Sequence, residues 1–217
     1  MKKNERAKII IKRLEEIYPE TPIPLDHQNG FTLLVAVVLS AQSTDKKVNE
    51  LTKELFKVAP SAEKMYKLGE NKIYNYIKQL GLAKTKAKNT HNLSKIIYEK
   101  FNNIVPNSFQ ELESLPGVGH KTASVVMSQV FGVPSFPVDT HIHRLSQRWG
   151  LTSGKNVIQT EKDLKRLFPK NLWNKLHLQI IFYGREYCSA RGCNGTNCNL
   201  CKELYPNRKK AIICIKA

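Results

Sequence analysis

The sequence predicts an all-α protein on three observations. Apolar residues recur at helical spacing along most of the chain, no stretch of similar length alternates apolar with polar residues as a half-buried strand would, and the breaks between stripes are short. The first stripe is Ile10, Leu14 and Ile17. Residues 31–40, FTLLVAVVLS, are rich in valine and apolar on nearly every side. With no neighbouring strand to pair with, and a helix start signalled at Ser43 or Thr44, they read as a central helix buried all round. Further stripes follow at Val48, Leu51, Leu55 and Phe56, at Ile73, Ile77 and Leu80, and at Leu93, Ile96, Ile97 and Phe101. Ala59-Pro60-Ser61, Gly81, Pro106-Asn107-Ser108 and Gly132-Val133-Pro134 separate them. Ser108 with Glu111 three residues on forms a capping box for a helix ending near Leu115. Thr140 to Arg144 opens another helix, and the tail KKAIICIKA reads as a short strand or a packed extension.

The 217 residues, 41% of them hydrophobic, suffice for one large core or two small ones. Lys and Arg number 35 against 18 Asp and Glu, a formal net charge of +17. Such an excess favours an anionic partner, either nucleic acid or an anionic membrane surface. The longest apolar run, residues 33–39, is far short of the roughly 20 residues that span a bilayer. Charges are scattered through the N-terminal MKKNERAKIIIKRLEE, where a signal sequence would be apolar. The expectation is a soluble, cytoplasmic protein, nucleoid-associated and without a membrane partner. Cys188, Cys193, Cys198 and Cys201 lie within fourteen residues, with Cys214 apart. Four thiols so close inside a cell suggest a metal centre over disulfides.

The segment most informative about chemistry is LPGVGHKTA, residues 115–123. Gly117 and Gly119 let the backbone approach a ligand, and the amides opening the next helix point toward an anion such as a phosphate. A plain corner between two helices is the other reading. Lys121 falls in the first turn of that helix, where the positive end of the helix dipole and loss of bulk water disfavour a charged ammonium. A neutral amine there could attack a sugar C1′ and form a Schiff base, given a carboxylate to stabilise developing positive charge. A surface lysine touching phosphate is the alternative. Asp139, in FPVDTHIHR, supplies the carboxylate eighteen residues on. It also suits a helix N-cap, and the two roles are compatible.

LPGVGHKTASVV, VDTHIHR and, upstream, LLVAVVLSAQSTD together resemble the endonuclease III family of DNA glycosylases with AP lyase activity, in the helix-hairpin-helix superfamily. The resemblance runs from about residue 6 to the cysteine cluster. It implies two all-α domains with DNA in the cleft between them: residues 23–133, a helical bundle holding the hairpin, and residues 1–22 plus 134–217, carrying the cysteine loop. It puts Lys121 and Asp139 on the catalytic lysine and aspartate. It puts Gln42 on the residue that fills the gap left by an extruded nucleotide, Leu82 on the wedge entering the stack from the other strand, and His141 near the lesion pocket. The implied activity is removal of damaged, oxidised pyrimidines from double-stranded DNA and cleavage 3′ of the abasic site by β-elimination, by a protein expected to act as a monomer. Gly117, Val118 and Gly119 of the hairpin, and Lys84 and Lys86 beside the wedge, are expected to meet phosphate. Without the resemblance, Gln42 reads as a polar helix end and Leu82 as a core leucine.

The family usually holds a [4Fe-4S] cluster with cysteines spaced C-x6-C-x2-C-x5-C, whereas this chain has C-x4-C-x4-C-x2-C. Four thiolates suit an iron-sulfur cluster or tetrahedral zinc, and spacing separates the two poorly. The resemblance favours iron-sulfur, held by Cys188, Cys193, Cys198 and Cys201, with Cys214 a buried hydrophobe or a substitute for Cys193. Such a centre would fix a loop presenting Arg191 and Lys202 to the DNA backbone. Two rival functions are a helix-hairpin-helix DNA-binding module without chemistry and a monofunctional adenine or mismatch glycosylase. Lys121 argues against both, and Asp139 also against the first.

Overall fold

A computed structural model describes residues 1–217 and is helical throughout, without a strand. The chain divides into two compact units, Ile23–Val133 and a second made of Met1–Pro22 with Pro134–Ala217.

The unit of residues 23–133 holds seven helices: α2 Gly30–Ser40, α3 Asp45–Val58, α4 Ala62–Leu68, α5 Glu70–Ile77, α6 Ala83–Phe101, α7 Phe109–Glu113 and α8 His120–Phe131. Every residue of α2 from Phe31 to Leu39 is buried, as its unbroken apolar run requires, and α3, α6 and α8 pack around it. Asn29 caps it by accepting from the Thr32 amide at 2.9 Å. Thr44 caps α3 and Ser61 caps α4, each through a side-chain oxygen accepting the amide three residues on. Ser108 likewise accepts from the Glu111 amide, although α7 ends at Glu113, a little before the point expected from sequence.

The other unit has its own core around Ile10, Leu14, Phe136, Leu145 and Trp149. Its elements are α1 Lys3–Ile17, α9 Thr140–Arg148, α10 Val157–Leu167, a 3-10 turn Lys170–Leu172, α11 Trp173–Glu186 and α12 Asn199–Leu204. α11 packs against both α1 and α9. Ile17, the last residue of the first stripe, is 40% exposed where α1 ends. The C-terminal tail is an extension and not a strand: the Ile212 amide donates to the Asn194 carbonyl, and Ile215 exchanges hydrogen bonds with the Gln147 side chain at 2.8 and 3.0 Å. No helix is long and apolar enough to cross a membrane.

Candidate nucleic-acid interface and metal centre

In the hairpin between α7 and α8, the Val118 amide donates to the Leu115 carbonyl, with Pro116 and Gly117 between them. Gly117 has φ 80°, so this is a turn of the Pro-Gly kind. A Cβ on Gly117 would also fall 2.9 Å from the Asn89 side chain of α6, which packs directly on the turn. Val118 is buried and its amide is spent on closing the turn, so it shapes the hairpin and does not face solvent. Gly119 is the N-cap of α8, with no side-chain hydrogen bond there and open space where a Cβ would stand. The amides of the first helical turn have no intrahelical partners, and here no cap covers the way to them.

Lys121 is the second residue of α8 and is exposed. The loss of bulk water expected from the sequence is therefore not a property of the free protein. What remains is the helix N-terminus and the reach of a long side chain beside an uncapped turn.

Gln42 and Leu82 lie on two neighbouring loops of this same unit. The carbonyl oxygen of Gln42 is 3.8 Å from where a Cβ of Gly81 would stand. Both residues are exposed, Leu82 by 59%, which overturns the reading of Leu82 as a core leucine. Both are also held in the left-handed backbone region, Gln42 at φ 53° and Leu82 at φ 59°. For a leucine that conformation costs on the order of 1 kcal/mol, and an exposed leucine gains no packing to offset it. Lys84 is exposed close to Leu82, but Lys86 is not the phosphate contact expected from sequence. It is buried, and its Nζ donates to the Ser43 hydroxyl at 2.9 Å, joining the two loops from beneath. Burial pushes the Lys86 ammonium below its ordinary pKa.

In the other unit Asp139 is the N-cap of α9 and accepts from the Ile142 amide at 2.8 Å. Its side chain is half-buried and fixed in orientation by that bond. Two residues on, His141 is half-buried, with Nδ1 3.3 Å from Arg144 Nη2. Burial, with help from Arg144 and Arg185, lowers the pKa of His141 against the opposing pull of Asp139, and burial lowers that of His143. The unfolded chain takes up protons on these histidines as pH falls through about 6.5, while the folded chain resists. The stability present above that value is lost progressively below it. We expect the thermal midpoint to be lower at about pH 5.5 than at about pH 7.5, with proton uptake on unfolding that His141→Gln reduces.

The thiols of Cys188, Cys193, Cys198 and Cys201 lie within 4.8 Å of one another and form a group able to hold a metal. Cys188 and Cys201 are 4.0 Å apart, sulfur to sulfur. Cys214 is no part of the group. It is half-buried, and its thiol points to the Arg144 carbonyl at 3.6 Å, so neither the substitute-ligand role nor full burial holds. Arg148, from α9, reaches into the cysteine loop: Nη1 donates to the Cys188 sulfur at 3.3 Å, to the Cys188 carbonyl at 3.1 Å and to the Ser189 carbonyl at 2.9 Å. The Gly195 amide donates to Cys193 at 3.4 Å. A buried arginine against clustered thiols suits an anionic centre. The sequence signals only the start of α9, Thr140 to Arg144, and nothing in it points to Arg148. Arg191 sits exposed between the first two cysteines, and Lys202 is exposed on α12.

Comparison with known proteins agrees with this arrangement. Residues 35–170 match the HhH-GPD superfamily of base excision DNA repair proteins. Endonuclease III of Bacillus subtilis (strain 168) is 39% identical over 213 residues, covering 96% of this chain and 97% of the relative. Endonuclease III of Treponema pallidum (strain Nichols) is 44% identical over 191 residues, covering 88% and 90%. A solved endonuclease III trapped as a covalent intermediate with DNA superposes with a TM-score of 0.87 at 37% identity, covering 92% of this chain and 94% of that one. A thermostable thymine-DNA glycosylase, 20% identical with a TM-score of 0.80, shares the fold. The chain belongs to the HhH-GPD superfamily of base excision DNA repair proteins and, within it, to the endonuclease III family.

Proposed function

We propose that this chain is a bifunctional DNA glycosylase and AP lyase of base excision repair, acting on damaged pyrimidines in duplex DNA. The observation that carries the reading is the lysine at the second position of α8, directly after an uncapped Pro-Gly-x-Gly hairpin. A module that only bound DNA would need the hairpin's amides but no nucleophile.

In the reaction the lone pair of the Lys121 amine forms a bond to C1′ as the C1′–N bond to the base breaks, and the base leaves with the bonding electrons and takes up a proton. Opening of the sugar ring gives an iminium, the Schiff base. Loss of a proton from C2′ then expels the phosphate on C3′, and water returns the amine. Asp139, orientated by its capping bond, stabilises the positive charge that develops on the sugar. The phosphate backbone is held by the amides at the α8 N-terminus and by Lys84 and Arg191. His141 stands near the extruded base.

An enzyme that reacts at C1′ must take the nucleotide out of the stack, at a cost of a few kcal/mol. Gln42 and Leu82 fill the vacated space, and their positive φ values mark a backbone held ready for that purpose. Leu82→Gly is therefore expected to divide stability from function. Glycine relieves the left-handed strain and removes an exposed apolar side chain, so the unfolding midpoint in urea stays the same or rises. Turnover on a duplex falls about tenfold or more, and turnover on single-stranded DNA, with no stack to replace, falls much less. Equal losses on both substrates would remove the wedge assignment.

The direct test of the function is sodium borohydride reduction in the presence of a duplex with one abasic site. A covalent protein–DNA adduct, and strand cleavage when borohydride is left out, are expected. Tight, salt-sensitive binding with neither adduct nor cleavage would support the binding module instead.

A further inference from the structure

The geometry points to a single tetrahedral zinc ion on Cys188, Cys193, Cys198 and Cys201, in place of the [4Fe-4S] cluster that membership of the family implies. The two occupants ask different things of four sulfurs. In a four-iron cluster each thiolate binds its own iron, so the sulfurs lie outside the cluster and are held apart by its full width. Around one zinc ion all four converge on a single centre at about 2.3 Å, which sets the sulfurs about 3.8 Å from one another.

Here all four sulfurs lie within 4.8 Å of one another, and Cys188 and Cys201 are 4.0 Å apart. For any four points with that largest separation there is a centre no farther than about 2.9 Å from each of them. Contraction by at most about 0.6 Å per sulfur brings four thiolates onto one ion. A cubane would need the whole set driven apart, in a loop that is already tied inward. Arg148 fixes the first ligand through its sulfur and carbonyl, the Gly195 amide donates to Cys193, and the Leu200 amide, inside the Cys198–Cys201 turn, donates to the Tyr183 hydroxyl at 3.2 Å.

The spacing agrees with the distances. C-x4-C-x4-C-x2-C gathers four thiolates with short arms and ends in a two-residue turn at the start of α12. Among the tetrahedral thiolate metals zinc binds more tightly than ferrous iron and does no redox chemistry. The centre is then a structural knot that holds the Arg191 loop. DNA affinity would not change with oxidation state. The inference rests on the cysteine geometry and stands whether or not Lys121 is a nucleophile.

The test is elemental analysis of the full chain purified without chelators from cells supplied with both iron and zinc. Close to one zinc per chain, a colourless protein and no acid-labile sulfide are expected. Brown protein containing iron and sulfide, a single iron without sulfide, or a chain without bound metal would each overturn the assignment. Exchange of the metal for cobalt(II) gives a second reading. Intense sulfur-to-cobalt charge transfer with the visible bands of tetrahedral cobalt is expected, and an octahedral spectrum would refute the site. Cys214→Ser should keep one zinc per chain, while Cys193→Ser should release zinc to a chelator at least tenfold faster.

Discussion

Lys121→Ala is expected to abolish the borohydride-trapped adduct and to lower cleavage of abasic duplex DNA by about a thousandfold or more. The size of the effect follows from what the side chain does. In the proposed reaction it supplies the atom that becomes covalently bound, and water has no comparable position from which to replace it. The fold should be untouched, because Lys121 is exposed and no hydrogen bond or ion pair of its side chain is part of the structure's bonding. Its backbone continues α8 just as well with alanine, the best helix former. Equal thermal midpoints for variant and parent, with DNA affinity lowered no more than one lost phosphate contact would produce, would separate chemistry from binding. Lys121→Arg sharpens the comparison. It keeps the positive charge but cannot form a Schiff base, so a lysine that only touched phosphate would be rescued by arginine and a nucleophile would not. An undiminished adduct in Lys121→Ala would remove the proposed mechanism.

How far the sequence carries this chain depends on the physics at each point. The buried helix α2 was legible because a run with no polar side has only one place to go, the centre of a bundle. Caps were legible for a similar reason: Thr44, Ser108 and Asp139 each use a short side chain to accept an amide three residues on, a bond local in sequence. The helices α10 and α11 carry no such apolar run. α11 buries His177 and Gln179 as well as Leu176, Leu178 and Ile180, so apolar and polar residues share its buried surface and no clean stripe remains. Nothing in GLAKTKA distinguishes a lysine turned outward from one folded under a neighbouring loop, as Lys86 is. Its partner Ser43 is forty-three residues away. The left-handed backbone at Gln42 and Leu82 was invisible for the opposite reason. Sequence reasoning places glycine or asparagine at positive φ, and strain kept at these two exposed loops breaks that rule. Lys121 and Asp139 stand out in the sequence as an amine and a carboxylate at two helix starts, but a lysine near a helix start and a capping aspartate are common, and only the resemblance puts the two on catalytic positions.

Asp139 is a harder case than Lys121, because its carboxylate caps a helix as well as serving the proposed reaction, and a careless substitution would confuse the two. Asp139→Ala removes both functions. It should cost about 1 kcal/mol of stability, the usual loss for an N-cap, along with most of the activity. Asp139→Asn separates them, because asparagine caps helices about as well as aspartate but carries no charge. The bond to the Ile142 amide survives in Asp139→Asn, so its unfolding midpoint should match the parent's closely. Its glycosylase step should nevertheless fall by about a hundredfold to ten-thousandfold, the range expected when a group that stabilises charge or manages protons is neutralised in place. Adduct formation on a preformed abasic site should suffer less than base removal. There the base has already gone, and the aldehyde accepts the amine without a cationic sugar having to form. If Asp139→Asn were as active as the parent while Asp139→Ala was impaired, the aspartate would be a cap and nothing more, and the charge opposite the sugar would have to come from another residue.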